Sequence, residues 1–260
     1  MKRFISFITG IVILLGSVNV YSAGGGASIS DDSPETLFTG SASSHYLLLS
    51  SGGIVSAWGD NTYGQCAAEP CSEISGINYI DFDSRIVKVA AGNDFSIALD
   101  ENNVAWGFGN NVKFQLGISR PTGSGTPTSF SSPIKISENI VGVAAGNDFS
   151  VLLNSNGELL FSGMGNAQTL EIVDTGTDSS VKSVYANENS FAAVTEDNKV
   201  YYQRSDGGLR TIFEFNENIE VQSVSLGKDH LIFVCRNGEN IEFYACGENE
   251  KGQLGKIGRA

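Results

Sequence analysis

The chain has 260 residues, with 16 Lys and Arg against 29 Asp and Glu, a net charge of −13 and 41 % hydrophobic residues. A field of that sign repels nucleic-acid phosphates, which need clustered Lys and Arg, and disfavours an anionic membrane surface. It suits solubility and, more sharply, a basic protein partner.

The first 23 residues read as a signal peptide. Lys2 and Arg3 precede an apolar run, Phe4 to Val18, and small residues follow at Ser22 and Ala23. This order of positive start, short apolar segment and small-residue exit marks export. The run falls below the ~20 residues needed to span a bilayer, so no stable membrane anchor is expected after its removal. A secreted or periplasmic location follows. None of the 21 asparagines is followed two residues later by Ser or Thr, which leans towards a bacterial exported protein. Residues 24–36, rich in Gly, Ser and Asp, read as a flexible lead-in.

From residue 37 the chain repeats. Val89 to Ser96 (Val-Ala-Ala-Gly-Asn-Asp-Phe-Ser) recurs letter for letter at Val143 to Ser150. Weaker copies share an apolar pair three apart: Ile86 and Val89, Ile140 and Val143, Val181 and Val184, Val221 and Val224. A first copy runs through Phe38 to His45. Small or Gly-type residues at Ala42, Gly92, Gly146, Asn187 and Gly227 set intervals of 50, 54, 41 and 40 residues. Each copy continues as a strand, a polar turn and a second strand, with Asn and Gly at turns that need positive φ. The reading is all-β. Five repeats, near 37–85, 86–139, 140–180, 181–220 and 221–260, predict a β-propeller of small sheets that cover one another. Gly92 and Gly146 are expected to permit a tight backbone turn. Asp94 and Asp148 suit either a cation or an Asx-capped turn, and Phe95 and Phe149 suit core wedges. Trp58 and Trp106, taken as equivalent positions, suit a ligand-stacking pair or packing between sheets.

Cys66 and Cys71 bracket a short loop and are expected to form a disulfide in an oxidising compartment. Cys235 and Cys246 lie on one hairpin whose Asn237-Gly238 turn does not place them opposite each other; their state stays open. No C-x-x-C spacing supports a zinc site.

The second half of each unit carries a resemblance. Trp58-Gly59-Asp60-Asn61-Thr62-Tyr63-Gly64-Gln65, Trp106 to Asn110 with Gln115-Leu116-Gly117, and Cys246 to Asn249 with Gly252-Gln253-Leu254-Gly255 resemble the W-G-x-N-x-x-G-Q-L-G signature of the regulator of chromosome condensation repeat. His45 and His230 fall where that family often has a histidine. The likeness covers about residues 37 to 255; copy three has Ser162-Gly163 and copy four Gln203-Arg204 in place of Trp-Gly. The family typically builds seven blades, so five repeats imply a smaller, open or incomplete ring. The export signal makes the chain similar in style to secreted bacterial members such as the second-type β-lactamase inhibitory protein. The resemblance implies a rigid scaffold whose loops bind another protein. The family's nuclear founder, an exchange factor for a small GTPase, supplies the alternative reading, and an extracellular or periplasmic hydrolase is a second.

Candidate partner-binding residues are aromatic and Arg side chains in segments that break the repeat: Tyr63 and Tyr79 in 60–79, and Arg120 and Phe130 in the insertion 120–133. That insertion also reads as a plain Pro-, Gly- and Ser-rich surface loop. No Gly-x-Ser-x-Gly elbow, His-Glu-x-x-His or phosphate loop appears, so no catalytic residue, metal ligand or cofactor is assigned.

Overall fold

The computed structural model describes residues 43–119, 128–165 and 167–255, together with short strands at 2–4, 19–22 and 36–39. The described residues form five sheets in chain order, antiparallel apart from the β2–β3 pair, each a propeller blade. Blade 1 comprises β3 (Thr36–Thr39), β4 (His45–Leu49), β5 (Val55–Asn61) and β6 (Cys71–Ile80), with β2 (Asn19–Ser22) parallel to β3. Blade 2 is β7 (Ile86–Ala91), β8 (Phe95–Asp100), β9 (Ala105–Asn110) and β10 (Ser129–Ser137). Blade 3 is β11 (Ile140–Ala145), β12 (Phe149–Asn154), β13 (Leu159–Gly163) and β14 (Ala167–Ile172). Blade 4 is β15 (Val181–Ala186), β16 (Ser190–Thr195), β17 (Val200–Arg204) and β18 (Arg210–Phe213). Blade 5 is β19 (Ile219–Leu226), β20 (His230–Asn237) and β21 (Asn240–Gly247). Its fourth strand is β1 (Lys2–Phe4), antiparallel to β21. That strand lies inside the segment read as a signal peptide, so cleavage after Ala23 would leave the outer edge of β21 unpaired.

The apolar pairs three apart have a physical cause. Residues on one face of a regular strand are two apart, so a three-residue interval needs a phase change. The inner strands of blades 2 to 5 supply it with a register shift just after the first residue of each pair, between Ile86 and Lys88, Ile140 and Gly142, Val181 and Ser183, and Val221 and Ser223. All eight residues of the four pairs are buried as a result. The hairpin turns use positive φ at Gly53, Asn103, Gly157, Asn198 and Gly238, as the Asn and Gly content predicts.

Four hydrophobic cores lie between consecutive blades, one for each junction from blades 1 and 2 to blades 4 and 5. Inner strands pack in series: β3, together with β4, on β7, then β7 on β11, β11 on β15, β15 on β19. Blades 2 to 4 therefore bury both faces against neighbours, and blades 1 and 5 one face each, as repeat architectures require.

Gly92 and Gly146 do close tight turns, their amides donating to Phe95 O and Phe149 O, but they are glycine for a reason other than backbone freedom. Neither has positive φ; a Cβ on Gly92 would lie 2.0 Å from the Phe95 ring, and one on Gly146 2.0 Å from the Phe149 ring. Gly227 meets the His230 ring in the same way, again at 2.0 Å. Blade 4 has Ser190 instead of a ring, and there the glycine is Asn187. Its Oδ1 accepts from the Ser190 amide and hydroxyl, both at 2.8 Å, and its Nδ2 donates to Gly227 O at 2.7 Å. Glycine is present where a ring needs the room.

The tryptophans are not equivalent. Gly59 pairs with His45 and Gly109 with Phe95, both glycines at positive φ, so Trp58 corresponds to Phe108 and Trp106 to Ser56. Trp58 stacks on Tyr46 at 5.6 Å. Trp106 packs against the core of blades 1 and 2, and its Nε1 donates to Asp100 Oδ2 at 3.0 Å.

Candidate interaction surface

The signature text after Trp-Gly folds as a plug. In blade 1, Asn61 Oδ1 accepts from Cys66 N at 2.9 Å and its Nδ2 donates to Glu69 O at 2.8 Å, while Gln65 Oε1 accepts from Tyr63 N at 2.8 Å. Blade 2 repeats the pattern: Asn111 Oδ1 accepts from Leu116 N at 3.0 Å, its Nδ2 donates to Ile118 O at 3.0 Å, and Gln115 Oε1 accepts from Lys113 N at 2.9 Å. After blade 5, Asn249 and Gln253 make the same bonds with Leu254 N, Gly255 O and Lys251 N. The two signature glycines occupy the plug's left-handed positions, shown by Gly252 and Gly255; blade 1 has Ala67 at the second (φ 54°) and blade 2 has Phe114 at the first (φ 64°).

The plugs of blades 1 and 2 each fasten their blade to the next. Ser96 of blade 2 donates to Gln65 O, and Ser150 of blade 3 to Gln115 O, both at 2.8 Å. The apolar plug residues Cys66 and Leu116 are fully buried. His45 extends the first lock, with Nε2 2.8 Å from Ser96 Oγ and Nδ1 2.6 Å from Ser43 Oγ. Because Ser96 donates onward to Gln65, it accepts from His45 Nε2–H, and Nδ1 accepts from Ser43; the ring is neutral. Burial pushes its pKa down to about 4 despite the opposing influence of Asp60. This histidine is a buried structural group rather than an accessible base, and His230 sits at the same register position on blade 5.

Cys66 and Cys71 are not bonded to each other in this structure, so the expected disulfide is not shown. Cys66 takes the plug's buried apolar position and donates to Asp60 O at 3.4 Å, while Cys71 on exposed β6 lies 3.7 Å from Asn61 Nδ2. Burial, then the nearby Asp60 and Cys71, pushes the Cys66 thiol up to about 12. Cys235 and Cys246 are also free; they pair across the hairpin with Glu242 and Leu231, not with each other. Burial pushes the Cys235 thiol up to about 11. Asp148 pairs with Lys113 at 2.6 Å, joining blade 3 to the plug of blade 2. Among the described residues no group of three or more His, Cys, Asp or Glu could hold a metal ion.

The partner-binding candidates separate. Tyr79 is 70 % exposed near the end of β6, opposite Ser56. Tyr63, in the first plug, lies at the other end of that strand, where Asn61 pairs with Cys71. Phe130 is not a loop anchor: it belongs to β10, opposite Gly109, and packs partly buried into the core of blades 2 and 3. Arg120 lies outside the described residues. Around Tyr79 the structure adds a feature that the sequence did not single out. A groove of about 680 Å³ is lined by Ile54, Tyr79, Asp81, Asp83, Arg85 and Glu101. Ile54 is 56 % exposed at its edge, and Arg85 is anchored on Ser51 O at 2.9 Å. The signal was present as an apolar turn residue and three carboxylates spread over three segments in all, but only the blade geometry brings those segments together.

Residues 43–65 and 86–115 match one profile of the regulator of chromosome condensation (RCC1) repeat, and residues 102–153 match another. The X-linked retinitis pigmentosa GTPase regulator homolog of Caenorhabditis elegans is 32 % identical over 146 residues, covering 55 % of this chain and 10 % of that protein. The RCC1-like G exchanging factor-like protein of Homo sapiens is 24 % identical over 254 residues, covering 83 % of this chain and 53 % of that protein. The chain thus spans a tenth to about half the length of these curated relatives. Prp20p from Saccharomyces cerevisiae, described with its binding to Gsp1p and histones, superposes with a TM-score of 0.65 at 22 % identity, over 82 % of this chain and 57 % of that one. Repeat profile, blade topology and the self-bonded plug all agree: the chain carries RCC1 repeats and folds as a β-propeller similar to those of RCC1-type proteins.

Proposed function

We propose that the chain is an exported, non-catalytic scaffold that binds a basic protein at the Tyr79 end of blade 1. The observation that carries this is the exposed pair Tyr79 and Ile54 beside Asp81, Asp83 and Glu101 on one groove. A largely exposed Tyr next to an apolar side chain supplies contact area at low entropy cost, and the carboxylates select a cationic partner and speed its approach. Affinity capture followed by equilibrium binding tests it. Tyr79→Ala is expected to weaken the captured partner at least tenfold with no change in melting temperature, and unchanged affinity would remove this surface from the proposal. Export is supported by the Lys2-Arg3 start and the apolar run to Val18. N-terminal sequencing of protein recovered outside the cytoplasm should begin at Gly24; an intact Met1 would contradict it.

A second reading is nucleotide exchange on a small GTPase, favoured by the resemblance to the human G exchanging factor-like protein over 83 % of this chain. Accelerated release of a fluorescent guanine nucleotide would establish that reading over the first.

A further inference from the structure

Plugs fill the junctions between blades 1 and 2 and between blades 2 and 3, whereas blade 3 has none. Its third strand ends at Gly163 and its fourth begins at Ala167, too short a connection for the seven-residue turn that follows β5 and β9. The register identifies which residues would face a plug there. The plug of blade 2 meets Ser150, Ser162 and Leu170 of blade 3, since a Cβ on Gly117 would lie 2.8 Å from Leu170 Cγ and 3.2 Å from Ser162 Oγ. The corresponding residues of blade 4 are Phe191, Gln203 and Arg210. All three line a cavity of about 430 Å³ between blades 3 and 4, with Phe161 and Met164 on the blade 3 side. It is the plug socket, left open.

Its chemistry differs from the filled sockets. Phe191 has replaced the serine that would accept a plug, and it packs on Phe161 at 5.7 Å and Phe149 at 6.3 Å, giving an aromatic floor. Glu171, Asp174 and Asp206 surround that floor. The one cation on the lining, Arg210, lies 3.8 Å from Asp174 and 5.2 Å from the centre of the Tyr201 ring. Asp206 is also paired, with Arg204 at 3.2 Å, so three carboxylates stand against two engaged guanidiniums; the rim stays net negative through Glu171 and favours a cation beside an apolar group.

We infer that this open socket binds a peptide segment of a partner protein that carries an apolar side chain next to Lys or Arg. The apolar side chain enters between Met164, Phe161 and Phe191, as Leu116 enters its own junction. The basic residue meets Glu171 and Asp206 at the rim. This site lies in a different junction from the Tyr79 groove and does not depend on it.

The test uses the full chain and a fluorescent peptide with the sequence of residues 110–117, Asn-Asn-Val-Lys-Phe-Gln-Leu-Gly, which supplies both features. Saturable binding by fluorescence polarisation is expected in the micromolar to sub-millimolar range. Replacing the peptide's Lys by Glu or its Leu by Ser should each weaken it at least fivefold. On the protein, E171K with D206K should weaken it about tenfold, E171Q alone less, and Y79A not at all, with far-UV circular dichroism showing each variant folded. No saturation at 1 mM, equal binding of the Lys-to-Glu peptide, or loss on Y79A would each overturn the assignment.

Discussion

The exchange of Gly92 and Phe95 for the Asn and Ser found at the same register in blade 4 tests the packing logic of the repeat. In blade 2 a Cβ on Gly92 would sit 2.0, 2.4 and 2.6 Å from three atoms of the fully buried Phe95 ring. Gly92→Asn alone must displace that ring, at a cost of about 3 kcal/mol, the upper end of typical overpacking. Phe95→Ser alone empties a buried site and costs about 4 kcal/mol. Together they recreate the pair at Asn187 and Ser190, where the amide oxygen accepts from both serine donors. The main chain is already suited, because Gly92 N donates to Phe95 O at 2.8 Å as Asn187 N does to Ser190 O at 2.9 Å. The double variant should therefore cost less than the sum of the singles by about 2 kcal/mol. Thermal unfolding followed by far-UV circular dichroism reads this directly, since 1 kcal/mol corresponds to roughly 2–4 °C in a domain of this size. Gly92→Asn is expected to lower the midpoint by about 6–12 °C. Additive losses, or a Gly92→Ala variant within about 1 °C of the parent, would refute the idea that the glycine exists to make room for the ring.

The plug gives a second expectation: Asn111→Ala orphans Leu116 N and Ile118 O and should cost about 2–3 kcal/mol in urea unfolding, against under 0.5 kcal/mol for exposed Asn156→Ala. His45 gives a pH dependence. Its unfolded form titrates near 6.5 and its folded form at about 4, so stability present above pH 6.5 is lost as pH falls towards 4. His45→Gln, which keeps a donor for Ser96, should flatten that acid slope by up to about 3 kcal/mol relative to the parent; parallel pH profiles would contradict the neutral buried ring. Thiol labelling of the native chain should modify exposed Cys71 first and leave Cys66 and Cys235 protected until unfolding. Rapid loss of both Cys66 and Cys71 without added reagent, reversed by reductant, would restore the disulfide. Ala67→Gly relieves a left-handed alanine and should raise stability by about 0.5–1 kcal/mol, measured as a shift in the urea midpoint.

The repeat phase was legible because burial imposes it. The paired residues Ile86 and Val89, and their three counterparts, must face the same core, and only a bulged strand permits that spacing. The bulge itself carries no letter of its own, so it emerged only from the register. Trp106 misled for a related reason: it precedes a glycine as Trp58 does, yet Gly109, not Gly107, occupies the positive-φ position that aligns the blades. Phe130 misled through its neighbours. Pro, Gly and Ser around it signal a loop, while tertiary pairing with Gly109 holds it in a strand. Of the site, Tyr79 was legible as an aromatic off the repeat. Its groove was not, since Ile54, the carboxylates at 81 and 83, and Glu101 come from separate turns.

The locks described between blades also have a direction and a break. Serine-to-plug bonds tie blade 1 to blade 2 and blade 2 to blade 3, whereas the junctions among blades 3, 4 and 5 lack plugs and cohere through aromatic and aliphatic packing with bonds at their turns, such as Asn187 Nδ2 to Gly227 O. In an array where each unit contacts only its neighbours, such a change of fastening divides the molecule into cooperative units. Blades 1 to 3 should exchange their amide hydrogens late and as one block. Blades 4 and 5 should open earlier, parting along the seam that holds the empty socket.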